Sequence, residues 1–301
     1  MKENKPSDKI VSVTESDHRL KVAVLSLDIA QGDVPANLNR ASVMLDSLPK
    51  GVDVAVLPEL FTTSFMRDTE AMLKVASESN IMTLDFVKSE ASRRNLLLCG
   101  SFLAEEKDVD GQSLFFNRGF MATPDGECVF YDKHHLFCLS KEAELLRHGQ
   151  QRPPLLHFRG WNISMLICYE LRFPVWGRNV EMRSDLLLIP ANWPVNRGYA
   201  WHHLIIARAI ENQVVVAGAD RSGHDDYGSY DGLSLIVDEL GRQIAPAPED
   251  APVGCPLPDS YGQQIDTPYG PVLWADFSLN QVKKLRHWLP TERDADPFVF
   301  V

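Results

Sequence analysis

Apolar and polar positions along this chain fall into short blocks whose period switches repeatedly between that of a strand and that of a helix. Val22 to Leu27 is an almost unbroken apolar run of strand length. Ala36 to Leu48 follows with Leu38, Ala41, Val43, Leu45 and Leu48 at helical spacing, so a strand leads into a helix. The unit then repeats. Val52 to Leu57 predicts a short strand, Thr83 to Asn95 an amphipathic helix, and Leu96 to Leu103 another strand. Two hairpins come next: Phe115–Lys133 turns at Pro124-Asp125-Gly126, and Leu155–Ile167 turns at Arg159-Gly160-Trp161-Asn162.

The second hairpin delivers Ile163 to Ile167 as a strand ending at Cys168. A helical stretch is expected near Val175 to Met182, then a strand Asp185 to Ile189, a helix Tyr199 to Asn212 and a strand Gln213 to Ala217. Asp220 to Asp231 reads as a polar loop, Leu233–Ala245 as a hairpin turning at Glu239-Leu240-Gly241, and Pro246 to Pro258 as a Pro-rich acidic surface loop. Pro271 to Phe277 predicts a last strand. Ser278-Leu279-Asn280-Gln281 has the form of a capping box opening a helix toward Trp288.

Residues 1–20 lack apolar periodicity and read as a loose leader, and 289–301 as an aromatic C-terminal tail. Nothing resembling a linker interrupts 21–288. The pattern therefore predicts one α/β domain of layered sheets covered by helices.

Composition adds exclusions. The chain has 301 residues, 45% hydrophobic and 24% charged, as in soluble globular proteins. Its formal charge is −11 and its basic residues are scattered, which argues against a nucleic-acid partner. No apolar run approaches the roughly 20 residues that span a bilayer, and the first 20 residues have no signal-like apolar core. A cytoplasmic protein without membrane contact is expected. The five cysteines, Cys99, Cys128, Cys138, Cys168 and Cys255, include no CxxC pair, so neither a disulfide framework nor a zinc knuckle is supported.

Of those cysteines Cys168 has the context of a nucleophile. It follows an apolar strand and precedes Tyr169-Glu170-Leu171-Arg172-Phe173-Pro174, which can open a helix or a tight turn. Backbone N–H groups at a helix start lower a thiol pKa and can hold an oxyanion; a buried core cysteine is an equal alternative on spacing alone. Glu59 lands after the strand Val54–Leu57 and Pro58, where α/β proteins place their sites. Lys133 follows the hairpin strand Glu127–Tyr131, where a fixed ammonium can stabilise a thiolate or an oxyanion. Singly, a surface glutamate and a surface lysine are the commoner explanations. The ordered trio carries the argument.

That trio resembles the nitrilase superfamily, through PELF around Glu59, YDKHHLF around Lys133 and ICYELRFP around Cys168. PANWP (190–194), ARAIENQ (207–213) leading into VVVAGADRSG, and SLIVDELGR (234–242) extend the likeness over about residues 20–290. DKHHLF, CYELRFPVWGRN, PANWP and WLPTERDADPF together are most similar to the bacterial omega-amidases, which hydrolyse the terminal amide of 2-oxo acids. The resemblance implies a nitrilase-like four-layer α-β-β-α sandwich. It implies a cysteine-dependent amidohydrolase that releases ammonia from a small carboxamide through a thioester, with 2-oxoglutaramate or 2-oxosuccinamate as substrate. It also implies a homodimer or larger homo-oligomer. Hydrolysis of an N-carbamoyl amine or a nitrile is the nearest alternative, and a catalytically silent binding module is a further one. Glu170 and Asp220 stand where many relatives have Asp and Asn.

In the implied mechanism Glu59 takes the thiol proton, Lys133 and the Tyr169 N–H hold the oxyanion, and no metal or organic cofactor is required. A second glutamate after the lysine loop completes such sites; Glu142 is preferred here and Glu144 is the alternative. Arg172 is the first candidate for binding the far carboxylate of the substrate, with pairing to Glu170 as its structural alternative. Phe65 and Met66, and Asn192 with Trp193, are candidate pocket walls. His134-His135 and His202-His203 invite a metal reading that their adjacency disfavours, and the acidic loop His224-Asp225-Asp226-Tyr227 lacks calcium-ligand spacing.

Overall fold

In β1 (Arg19–Leu25), Leu20, Val22 and Val24 enter one buried cluster and Ala23 and Leu25 another, because successive side chains of a strand face opposite ways. That alternation sets the layers. The computed structural model describes residues 17–250, 254 and 256–299. One sheet runs in the order β14 (Gln263–Thr267), β15 (Gly270–Ser278), β1, β2 (Val54–Val56), β3 (Leu97–Lys107), β4 (Ser113–Ala122), β5 (Cys128–Asp132). The other runs β13 (Gln243–Ala245), β12 (Leu235–Val237), β9 (Val215–Asp220), β8 (Leu186–Ala191), β7 (Trp161–Met165), β6 (Leu155–Phe158). Each has a parallel centre, β1-β2-β3 and β7-β8-β9, flanked by antiparallel strands.

The two sheets pack face to face. Val22, Val54 and Met121 of the first share a cluster with Ile163, Met165 and Leu188 of the second. They approach so closely at β4 that a Cβ on Gly119 would fall 2.5 Å from the Met165 Cε. Helices α1 (Val34–Asp46) and α2 (Thr69–Arg94) cover the outer face of the first sheet through Leu38, Ala41, Val87 and Ala91. Helix α4 (Gly198–Asn212) covers the second, its Ile205 and Trp201 seated on Gly218, where no side chain would fit. The protein is thus the expected four-layer α-β-β-α sandwich. The one-turn helix α3 (Glu142–Leu145) lies beside the site, and α5 (Leu279–Trp288) ties the sheet ends together through Arg286, which donates to Ser184 O and Asp185.

Several local expectations change. The first strand begins at Arg19, where pairing with Ser278 is already made, so the leader stops short of residue 20; its residues 1–16 lie outside the described ones. Helix α2 extends back to Thr69, capped by the Asp68 carboxylate, which accepts from Ala71 N at 3.1 Å. Its first half buries Ala76 and Ser79 beside Met72, small residues that blur the apolar period. Residues 175–182 form no α-helix, only a 3-10 turn at Val180–Met182 with Glu181 and Met182 in left-handed conformations. The expected polar loop 220–231 is instead a hairpin, β10 (Ser222–Asp225) with β11 (Gly228–Asp231). Ser278 does not cap α5: its hydroxyl donates to Asp17 Oδ1 at 2.7 Å. Edge strand β14, a polar Gln-Gln-Ile-Asp-Thr, was absent from the pattern. The tail contains a 3-10 turn at Thr291–Asp294, and Leu289 O accepts from Gln213 Nε2.

Candidate active site

The carboxyl ends of the parallel strands converge, as ligand sites in α/β sheets do. Glu59 follows β2, Cys168 follows β7, Asn192 follows β8, and Asp220 ends β9. Lys133 follows β5, and its N–H continues the ladder to Asn117 O of β4 at 3.0 Å. Residues distant in sequence thereby share one buried floor.

Lys133 sits at its centre, 2% exposed. Its Nζ donates to Glu59 Oε1 at 2.7 Å and to both oxygens of Glu142, at 2.9 and 3.0 Å. Asn117 Nδ2 donates to the same two carboxylates, at 2.8 and 3.1 Å, and Phe137 N fixes Glu142 Oε2 at 2.7 Å. Burial alone would lower the lysine pKa, but Glu142 and Glu59 outweigh it and hold the ammonium protonated, well above its ordinary range. Glu144 points away to an exposed pair with Lys141. The second glutamate beside the lysine is therefore Glu142.

Cys168 is left-handed at φ 45° and 8% exposed. A non-glycine residue held there is strained, as nucleophile turns often are. The turn it opens, Cys168–Arg172, is a single 3-10 turn and not the start of an α-helix. The thiol pKa is accordingly raised, not lowered: burial and the Glu59 carboxylate push it up, against a smaller opposing pull from Lys133. At rest burial and the nearby Glu59 carboxylate keep the proton on the sulfur. Glu59 Oε2 also accepts from Asn192 N at 3.0 Å, which fixes the carboxylate on its other side.

Glu170, two residues past the cysteine, braces the elbow against the lysine loop. Its Oε1 accepts from Tyr131 Oη at 2.6 Å and His134 N at 2.9 Å, while Oε2 accepts from Ile167 N at 2.8 Å. It does not pair with Arg172. Asp220 performs a similar task on the other side, accepting from Trp193 N at 2.7 Å.

Above this floor opens a cavity of about 630 Å³, counting its mouth. Phe65, Tyr169, Arg172, Asn192 and Trp193 all line it, whereas Met66 does not and packs instead near Gly32. The Arg172 guanidinium lies 4.9 Å from the Trp193 ring and makes no ion pair among the described residues. Sequence reasoning missed Asn117, Arg197, Tyr227 and Tyr230. Asn117 carried a faint signal as a lone amide inside the apolar strand Leu114–Met121. The two tyrosines come from the β10–β11 hairpin, read as a loop; Arg221, fully buried, secures it by pairing with Asp225 Oδ2 at 2.9 Å. The histidine pairs disperse onto separate partners, His134 on Gly149 O and His202 on Gln243, and no cluster of three metal-ligating side chains occurs among the described residues.

Comparison with known proteins gives a consistent picture. The family model for carbon–nitrogen hydrolases matches residues 21–254. Omega-amidase YafV of Yersinia enterocolitica is 35% identical over 283 residues, covering 94% of this chain and 99% of the relative. The 2-oxoglutaramate amidase of Bacillus subtilis is 33% identical over 226 residues, covering 74% and 85%. Among solved structures, a CN-hydrolase superfamily protein of Xanthomonas campestris, crystallised with an arsenic adduct in its active site, superposes with a TM-score of 0.77 at 29% identity, covering 94% of this chain and 100% of that one.

Proposed function

Since the chain belongs to the carbon–nitrogen hydrolase family and is an amidohydrolase acting on carbon–nitrogen bonds other than peptide bonds, we propose that it is an omega-amidase, with Cys168 as nucleophile, Glu59 as general base and acid, and Lys133 as oxyanion partner. The observation that carries the reading is the Lys133 ammonium, locked between Glu59 and Glu142, in the same cavity as a thiol that burial and the Glu59 carboxylate keep protonated.

The protonation states order the steps. Glu59 accepts the Cys168 proton as sulfur bonds to the amide carbon, so the thiolate forms only as it is consumed. The resulting oxyanion meets the Lys133 ammonium and the Tyr169 amide. Glu59 then passes its proton to the departing nitrogen, the C–N bond breaks, and ammonia leaves a thioester on Cys168. Water loses a proton to Glu59 as its oxygen attacks the thioester, and collapse of that second intermediate returns the proton to sulfur and releases the carboxylic acid. Glu142 and Asn117 act by position, keeping Lys133 and Glu59 aimed. No step calls on a metal or an organic cofactor.

The substrate reading is a 2-oxo dicarboxylic monoamide, 2-oxoglutaramate or 2-oxosuccinamate, with its far carboxylate on Arg172. Two curated relatives named for that chemistry and an arginine without an acidic partner in the pocket support it. The protein works in the cytoplasm as a homodimer or larger homo-oligomer in this proposal, with exposed Trp288 and Phe298 near the C-terminus as contact residues. Purified protein offered 2-oxoglutaramate, an N-carbamoyl amine and a small nitrile should release ammonia from the first. Turnover confined to the other two would reject the omega-amidase reading, and gel filtration at the monomer mass would reject the oligomer.

A further inference from the structure

The ionisable groups around the cavity do not balance. Lys133 is paired with Glu59 and Glu142 on the floor. Arg172 and Arg197 remain, both lining the cavity and neither in an ion pair among the described residues. Each lies on an aromatic ring: Arg172 on Trp193 at 4.9 Å, and Arg197 on Phe137 at 4.9 Å. Ring stacking orients a guanidinium and leaves its N–H edge and its charge available.

The two supports are joined. Trp193 Nε1 donates to Arg197 O at 2.8 Å, so the ring under one arginine is pinned to the backbone of the other. Phe137 is fixed from the opposite side, its N–H bonded to Glu142 and its ring edge-on to Tyr169 at 5.0 Å. Arg197 is thereby tied through Phe137 to the residue that holds Lys133, and through Trp193 to Arg172.

We propose that Arg197 is a second substrate-binding cation, acting with Arg172 on the carboxylate end of the substrate and selecting anionic amides over neutral amides of the same length. The proposal rests on the amidase reading for its ligand class, an amide bearing a carboxylate. Two planar cations on rigid rings suit a carboxylate, which offers four lone-pair directions and accepts bidentate donation. A neutral amide would leave both guanidiniums facing an apolar group.

The test separates binding from turnover. In the intact protein carrying Cys168→Ala, affinities for 2-oxoglutaramate and for neutral pentanamide are measured by calorimetry, with and without Arg197→Gln or Arg197→Lys. A charge-assisted hydrogen bond is worth enough that Arg197→Gln should weaken 2-oxoglutaramate about 10- to 100-fold. The ratio of its affinity to that of pentanamide should fall by the same factor, and Arg197→Lys should recover part of it. Equal loss for both ligands, or no loss for either, overturns the proposal. Ammonia release from the wild-type protein tests the amidase reading on its own, so the two can fail separately.

Discussion

Both carboxylate oxygens of Glu142 lie within 3.0 Å of the Lys133 ammonium, and both side chains are almost wholly buried. Such a pair holds only while each charge has its partner. Desolvating an ion costs several kcal/mol, and the recovered attraction requires the geometry to stay intact.

Lys133→Met should therefore destabilise the fold as well as abolish turnover, because Glu59 and Glu142 would face each other without a cation. The expected cost is about 3–5 kcal/mol, a fall in melting midpoint of roughly 10 °C. Adding Glu142→Gln should restore part of that stability and none of the activity. An unchanged melting midpoint in Lys133→Met would contradict the arrangement.

Cys168→Ala should lower kcat by roughly 10⁴-fold or more while the protein stays folded. Rapid quenching of the wild-type protein with substrate, followed by mass spectrometry, should show an acyl group on the peptide containing Cys168. Full turnover by the variant would remove cysteine from the mechanism.

The raised thiol pKa has a sign that can be checked. Below about pH 8.5 the sulfur is protonated in both the folded and the unfolded chain, so it contributes nothing to pH dependence. Above that value the unfolded chain loses the proton while the folded one keeps it, so stability falls as pH rises. Cys99 and Cys128 add to the same trend, Cys99 through burial and Cys128, pushed up to about 11, through burial too. Denaturant titrations at pH 8 and 10 should show a loss at the higher pH that is smaller in Cys168→Ala.

His135 acts at the opposite end of the scale. Burial, with help from neighbouring His134 and His148, lowers its pKa to about 4, and its ring stacks on Phe173 at 3.8 Å. As pH falls below about 6.5 the unfolded chain takes up a proton that the folded chain refuses until about pH 4. His135→Phe should flatten the stability profile across that window. Parallel profiles for the two proteins would refute the assignment.

Glu170 joins the cysteine elbow to the lysine loop through three donors. Glu170→Ala strands the Tyr131 hydroxyl and two amides and should cost about 3 kcal/mol or more. Because the elbow then loses its brace, kcat/KM should fall beyond what the remaining folded fraction explains. Glu170→Gln, which keeps most acceptors, should fall between the two; a Glu170→Ala enzyme of normal kcat/KM would show that the brace is dispensable.

The chain order of strands and helices was legible because it is local: Val22–Leu27, Ala36–Leu48 and Tyr199–Asn212 each advertise their period within one window. The same local pattern put Glu59, Lys133 and Cys168 at strand ends, and only their ordered combination, matched to the family's motifs, made candidates of them. Elements failed where the period is not apolar, as in the first half of α2 with its buried Ala76 and Ser79, or where pairing is held by ions, as in the β10–β11 hairpin fastened by Arg221 and Asp225. The tertiary structure alone decided which glutamate meets Lys133, since Glu142 and Glu144 are indistinguishable until α3 turns one inward. It also decided the thiol's protonation, which depends on burial and on a carboxylate far away in sequence, and it brought Arg197 to the cavity. Periodicity reports which face of an element is apolar; charge balance inside a site is a sum over residues distant in sequence, and only the packed sheets bring those residues within range of one another.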